Sequence, residues 1–177
     1  KSTTDKDVDT VYKLGAFRIL DRITEEASHA VGLQYLYYPS SMRVLNHSWA
    51  KSADIFQIYN THGGYLTHRI FPALSKIGPI VWRLSDMWPM TGHCAYPGAC
   101  DRWKSGCGQC PDLETAPTIK FDTTALLWRI KNKVYTNSNI TIVAPSNWIK
   151  TQAEASPLLN RFDIHLIPNG LDLNVFH

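Results

Sequence analysis

The chain has 177 residues, 44% hydrophobic and 19% charged, with a formal charge of +3 at neutral pH. This composition suits one folded domain with a sizeable core and excludes an intrinsically disordered chain. The charge is mild and scattered, without the one-sided basic face of a nucleic-acid binder, and no apolar run reaches the roughly 20 residues of a membrane span.

In chain order, residues 1–10 are polar and charged, a solvated lead-in without a signal-peptide pattern. The chain lacks an opening Met and stops at His177 just after a strand-like segment, so both ends read as cut and a piece of a longer protein is expected. Leu20, Ile23, Ala27 and Val31 recur at helical spacing and predict a helix over about 21–31, with Gly32 as its stop. Residues 33–47 carry no clear period. Asp54–Tyr59 is strand-like and ends in the two-glycine loop 60–64. Leu66, Ile70 and Leu74 mark a helix closed by Gly78-Pro79, and Ile80–Trp82 starts a second strand. Residues 87–120 hold the cysteines with many prolines and glycines, and read as a long insertion with too few apolar residues to pack itself. Leu126, Leu127, Ile130 and Val134 mark another helix. Ile140–Ala144 is a third strand, Ser146 an N-cap for a helix of about ten residues, and Ile164–Ile167 a fourth strand.

Strands alternating with helices predict βαβ units and a parallel sheet. Ligands of such sheets bind at the carboxyl ends of the strands. That rule selects loops 60–64, 85–93, 145–147 and 168–172.

Three segments, in order, resemble a known family. Ile142-Val-Ala-Pro-Ser-Asn-Trp148 is followed by Ile167-Pro-Asn-Gly-Leu-Asp172 and Val175-Phe176. Before them stand Pro79-Ile-Val-Trp-Arg-Leu-Ser-Asp-Met-Trp-Pro-Met-Thr-Gly92 and Cys100-Asp-Arg-Trp-Lys-Ser-Gly-Cys-Gly-Gln-Cys-Pro111. Together they resemble glycosyltransferase family 4, retaining enzymes with the GT-B fold, and within it a bacterial polysaccharide-assembly subgroup with a four-cysteine insertion. The likeness covers roughly residues 50–177. It implies an α/β, Rossmann-like parallel sheet flanked by helices, the N-terminal, acceptor-side half of a GT-B fold, with the Cys-rich insertion at 87–120. The C-terminal donor-binding domain is absent from this sequence, and a fragment without it is expected to be inactive alone. The implied donor is a nucleoside-diphosphate sugar, held mainly by that domain. The implied partners are that domain and a glycan or lipid-linked acceptor, with peripheral membrane association and a cytoplasmic location at the inner membrane face; no nucleic acid is expected. The family's His-Asp before Met-Trp is Ser85-Asp86 here, and Ser cannot titrate near neutral pH.

Sugar transfer requires a stabilised leaving diphosphate and a held acceptor hydroxyl. No catalytic residue is assigned. Asn60, His62, Gly63 and Gly64 end the first strand, the first two as hydrogen-bonding groups and the glycines as room for close approach, or they form an ordinary turn. Asp86 and Trp88 offer a carboxylate for sugar hydroxyls and a stacking indole, or a turn cap and a core side chain. Ser146 and Asn147 offer a helix N-terminus, or only its cap. His93 is a candidate substitute for the missing family His. Cys94, Cys100, Cys107 and Cys110 suit a closed structural zinc, the last two at knuckle spacing, with two disulfides or four free thiols as the alternatives.

Two rival functions remain at this level: a zinc-stapled, non-catalytic glycan- or protein-binding module, and a nucleic-acid-binding domain built on the cysteines, against which the interspersed charge argues.

Overall fold

In the computed structural model, residues 15–172, 174 and 175 are described; the expected lead-in at 1–10 and Phe176 lie outside them. The sheet has four strands: β1 (Phe56–Ile58), β2 (Ile80–Arg83), β3 (Ile140–Ala144) and β4 (Ile164–Leu166). They lie side by side in chain order, and every pair is parallel. The helices are α1 (Gly15–Ala30), α2 (Pro39–Val44), α3 (Ser48–Lys51), α4 (Phe71–Leu74), α5 (Thr124–Thr136) and α6 (Asn147–Ala155). A four-stranded parallel sheet flanked by helices is a Rossmann-like α/β fold, as the alternating pattern predicts.

Period-two alternation puts one set of strand side chains into the core. Ile80, Trp82, Ile140 and Ile142 are buried and share a cluster with Phe71, Leu74, Val134, Tyr135, Ile149 and Ala153. The alternate residues differ in exposure: Gln57 and His165 are exposed, Val81 and Thr141 are half-buried, and Val143 is buried.

The structure corrects three sequence readings. First, α1 starts earlier than expected, and its apolar stripe is not its buried side: Ile19, Leu20 and Ile23 are exposed. The buried residue is Asp21, whose carboxylate accepts a 3.0 Å bond from the Ser40 backbone N–H at the start of α2. The helix does stop at Gly32. Its N–H reaches the His29 carbonyl and that of Leu33 the Ser28 carbonyl, a Schellman closure with Gly32 at φ +74°. A Cβ there would also meet the Phe121 carbonyl oxygen at 2.8 Å.

Second, the helix expected around Leu66–Leu74 is a 3₁₀ turn at His68–Ile70 running into the single α-turn of α4. Thr67 caps the turn and Pro72 sits in the first turn of α4, so the two pieces are short and differently wound.

Third, the insertion, expected to have too few apolar residues to pack itself, packs several of those it has into the core of the domain. Met87, Trp88, Met90, Trp103 and Ile119 are buried, and Trp128 of α5 donates an indole N–H to the Trp103 carbonyl at 3.1 Å. Apolar side chains spaced too irregularly to show a period still attach this segment. Among the described residues, no helix is long and apolar enough to cross a membrane.

Candidate functional site

Parallel strands deliver their carboxyl-end turns to one edge of the sheet. Two of those turns meet in a built cluster. After β1, the Asn60 side-chain oxygen accepts the His62 backbone N–H at 3.0 Å, an Asx turn that turns the chain back on itself. The Tyr65 hydroxyl donates to the Asn60 carbonyl, and the Trp82 indole donates to the Tyr59 carbonyl at 2.9 Å. After β2, the Asp86 carboxylate accepts the Trp88 backbone N–H at 2.8 Å. Its other oxygen lies 3.4 Å from His62 Nε2. Each turn thus satisfies itself locally and directs one titratable group at the other.

The floor beneath this pair is Trp88, only 1% exposed. His62 stacks on its ring (centroids 5.5 Å apart, 28° between planes), His68 meets it edge-on at 5.5 Å, and Tyr35 tilts against it at 5.8 Å. Lys131 Nζ stands 3.4 Å from the ring centroid and donates to the Trp88 and Thr91 carbonyls at 2.6 and 2.9 Å. The Tyr135 hydroxyl donates to the Pro89 carbonyl at 3.2 Å, so α5 holds the 88–91 turn by three bonds. The Trp88 indole N–H goes to Gln34 Oε1 at 3.1 Å.

Burial lowers the pKa of His62; Asp86 opposes the shift and Lys131 adds to it. A carboxylate beside Nε2 favours the tautomer with the proton there, leaving Nδ1 as the acceptor. A neutral imidazole next to a carboxylate can hold a hydroxyl-rich ligand by hydrogen bonds in both directions. His68 is buried with no partner on either ring nitrogen, and burial brings its pKa down to about 3. Lys131 is brought down to about 7, again chiefly by burial, with Cys107, Cys94 and Asp86 pulling it upward.

The other expected site residues fall in different places. Gly63 and Gly64 follow His62 at φ +123° and +80°, a geometry that favours glycine, and a Cβ at Gly64 would meet a Glu25 carboxylate oxygen at 2.7 Å. Ser146 caps α6, accepting the Ile149 N–H at 3.4 Å, and Asn147 is exposed beside it. The Trp148 ring lies 6.2 Å from that of Tyr96, linking this helix start to the insertion. Asn169 accepts a bond from Arg83 of β2. Trp88 and His93 are both 1% exposed, so neither presents a surface to an acceptor. Trp88 is the platform of the site rather than a stacking face for sugar. His93 points away from the His62–Asp86 pair: its Nδ1 is 3.0 Å from the Pro117 carbonyl and its Nε2 is 3.3 Å from Cys110 Sγ.

Cys94, Cys100, Cys107 and Cys110 are all free thiols and line one pocket together with His93 and Trp103. The Gly92 N–H donates to Cys107 Sγ at 3.2 Å. The backbone turns through φ +58°, +88° and +49° at Cys107, Gly108 and Gln109, a knuckle-like path. Burial raises Cys94 and Cys110 and pushes Cys107 up to about 11. Thiol and imidazole donors suit zinc by chemistry. Yet among the described residues no three His, Cys, Asp or Glu side chains are gathered closely enough to hold an ion as they stand, so binding requires the thiols to turn inward.

Lys131, His68 and Gln34 were not found from sequence. Lys131 left a signal: it falls four residues after Leu127 and four before Tyr135, on the buried stripe of α5, where a lysine needs a reason. His68 and Gln34 left none.

Over 98 residues the chain is 32% identical to a protein of Escherichia coli strain K12 named "Putative colanic acid biosynthesis glycosyl transferase WcaC". The matched stretch covers 53% of this chain and 24% of the relative's length. No protein-family profile matches the chain. No solved structure matches it either.

Proposed function

We propose that this chain is the acceptor-side half of a retaining glycosyltransferase of the GT-B type that works in polysaccharide assembly. The likeness to the E. coli protein carries this reading. The meeting of His62 and Asp86 at the carboxyl ends of neighbouring parallel strands supports it, because that is where such sheets bind ligands. The intact enzyme moves a sugar from a nucleoside-diphosphate donor to a glycan or lipid-linked acceptor. A lipid-linked acceptor puts the reaction at the cytoplasmic face of the membrane.

In this reading His62, held toward its neutral form, and the Asp86 side chain bind acceptor hydroxyls, and the buried floor of Trp88 fixes their positions. The space beside Gly63 leaves room for the ligand, Gly64 makes room for the Glu25 carboxylate, and Ser146 and Asn147 form the far wall. A second domain supplies most of the donor contacts and stabilises the leaving diphosphate. The cysteine loop is a structural zinc site, with Cys94, Cys100, Cys107 and Cys110 as ligands once turned inward; four thiolates leave no open position for chemistry.

The test uses the full-length protein that contains this chain, offered common nucleotide sugars with membrane lipid extracts or oligosaccharides. Transfer with retained anomeric configuration is expected. No transfer and no donor hydrolysis across those donors would count against the proposal and favour a non-catalytic glycan-binding module.

A further inference from the structure

We propose that Lys131 is a positioning residue for the His62–Asp86 pair. The inference rests on the reading of that pair as part of an acceptor wall.

The geometry is specific. Lys131 is 1% exposed and emerges from the middle of α5. Its ammonium donates to the carbonyls of Trp88 and Thr91, the two ends of the turn that follows Asp86. That turn is a 3₁₀ winding of only Trp88–Met90, with Pro89 in its first turn. Such a short element has little stability of its own. The same nitrogen sits over the Trp88 ring, and His62 stacks on that ring. Asp86 is tied to the turn through the Trp88 backbone N–H. One cation therefore fixes both members of the pair, His62 through the indole and Asp86 through the backbone. It hydrogen-bonds neither of them: it positions them through the ring and the turn, and its charge lowers the His62 pKa.

A lysine is a costly choice for this position, because a buried ammonium loses its hydration. An apolar residue could fill the stripe but could not bridge two carbonyls and an aromatic face. The groups around the ammonium come from every neighbouring segment: Asp86 from the turn after β2, His62 from the turn after β1, His68 from the 3₁₀ turn before α4, and Cys94 and Cys107 from the insertion. Burial brings the Lys131 pKa down to about 7, and Cys107, Cys94 and Asp86 offset part of that loss.

The experiment compares wild type, Lys131→Met and Lys131→Arg in the full-length protein. It records sugar transfer and, by NMR with labelled histidine, the ring resonances and titration of His62. Lys131→Met is expected to fold, to lower kcat by about 10–100-fold with the donor KM little changed, and to move the His62 ring resonances away from their ring-current-shifted positions. Its His62 should titrate at higher pH than in wild type, because a neighbouring positive charge is gone. Lys131→Arg should recover part of the His62 signature. Should Lys131→Met fail to fold, Lys131→Gln keeps two N–H donors without charge, and the His62 titration should still rise. Unchanged His62 resonances and unchanged kcat in a folded neutral variant would overturn the proposal. If wild type transfers no sugar but the His62 resonances still shift in Lys131→Met, the positioning role stands and the acceptor-wall reading fails.

Discussion

The turns that close β1 and β2 and the cysteine loop that follows them are both irregular in backbone, yet they are ordered differently. The turns at 60–62 and 86–91 are organised around one buried ring. Trp88 gathers Tyr35, His62, His68 and Lys131, and the polar groups left at the surface of that cluster are His62 and Asp86. The loop at 94–118 buries one ring, Trp103, against the core, and its cysteine-bearing stretches are not gathered around it as the turns are around Trp88. It is held by long-range bonds from elsewhere: Gln34 donates to the Pro117 and Thr118 carbonyls, Asp122 accepts the Cys110 N–H, and Thr124 accepts the Gly108 N–H. Gln34 belongs to both systems, since its oxygen takes the Trp88 indole N–H. An aromatic centre fixes a site through packing, whereas a loop tied by scattered bonds is expected to loosen locally, without global unfolding, when its thiols change state.

That contrast can be broken most forcefully at the ring. Trp88→Ala removes the shared floor, and a loss of about 3–5 kcal/mol is expected in denaturant unfolding. A loss below about 1 kcal/mol would mean that the two turns are not organised by Trp88. The next effect is on pH dependence. His68 is neutral in the fold, with a pKa of about 3, while an unfolded histidine protonates near 6.5. The unfolded state therefore binds the extra proton between those values. The stability tied to this group is full above about pH 6.5 and is lost as pH falls toward 3. Between pH 7 and 5 the wild type should lose about 2 kcal/mol more than His68→Leu; equal losses would contradict the buried, unpartnered assignment.

Smaller again is Ser146→Ala, which removes the α6 cap bond and should cost about 1 kcal/mol. The smallest change in global stability is expected in the cysteine loop. Protein purified under reducing conditions should carry one zinc per chain. Chelation should expose residues 94–110 to proteolysis while shifting the unfolding midpoint little. No bound zinc would remove the metal proposal and leave the loop held by its hydrogen bonds and the buried Trp103.

Much of this arrangement was legible in the residues. Val- and Ile-rich runs marked the strands, Ser146 marked the start of α6, and the strand-end rule selected the loops that carry His62 and Asp86. What failed did so for physical reasons. The apolar period of α1 was real, but its buried residue is the polar Asp21, chosen by a backbone N–H in α2 that periodicity cannot represent. Trp88, open on sequence between a stacking indole and a core side chain, is in the core, while His93, a candidate substitute for the missing family His, is buried against Pro117 and Cys110, partners that local sequence does not reveal. Gln34 works through partners more than 50 residues away, and nothing local distinguishes it.

The central claim is that the His62–Asp86 pair faces the acceptor of a sugar transfer. It is tested most directly by measuring transfer in full-length His62→Ala and Asp86→Asn proteins whose unfolding midpoints match wild type. Losing hydrogen bonds that involve a charged group should lower transfer about 10–100-fold in each. Transfer at the wild-type rate in both folded variants would contradict the account.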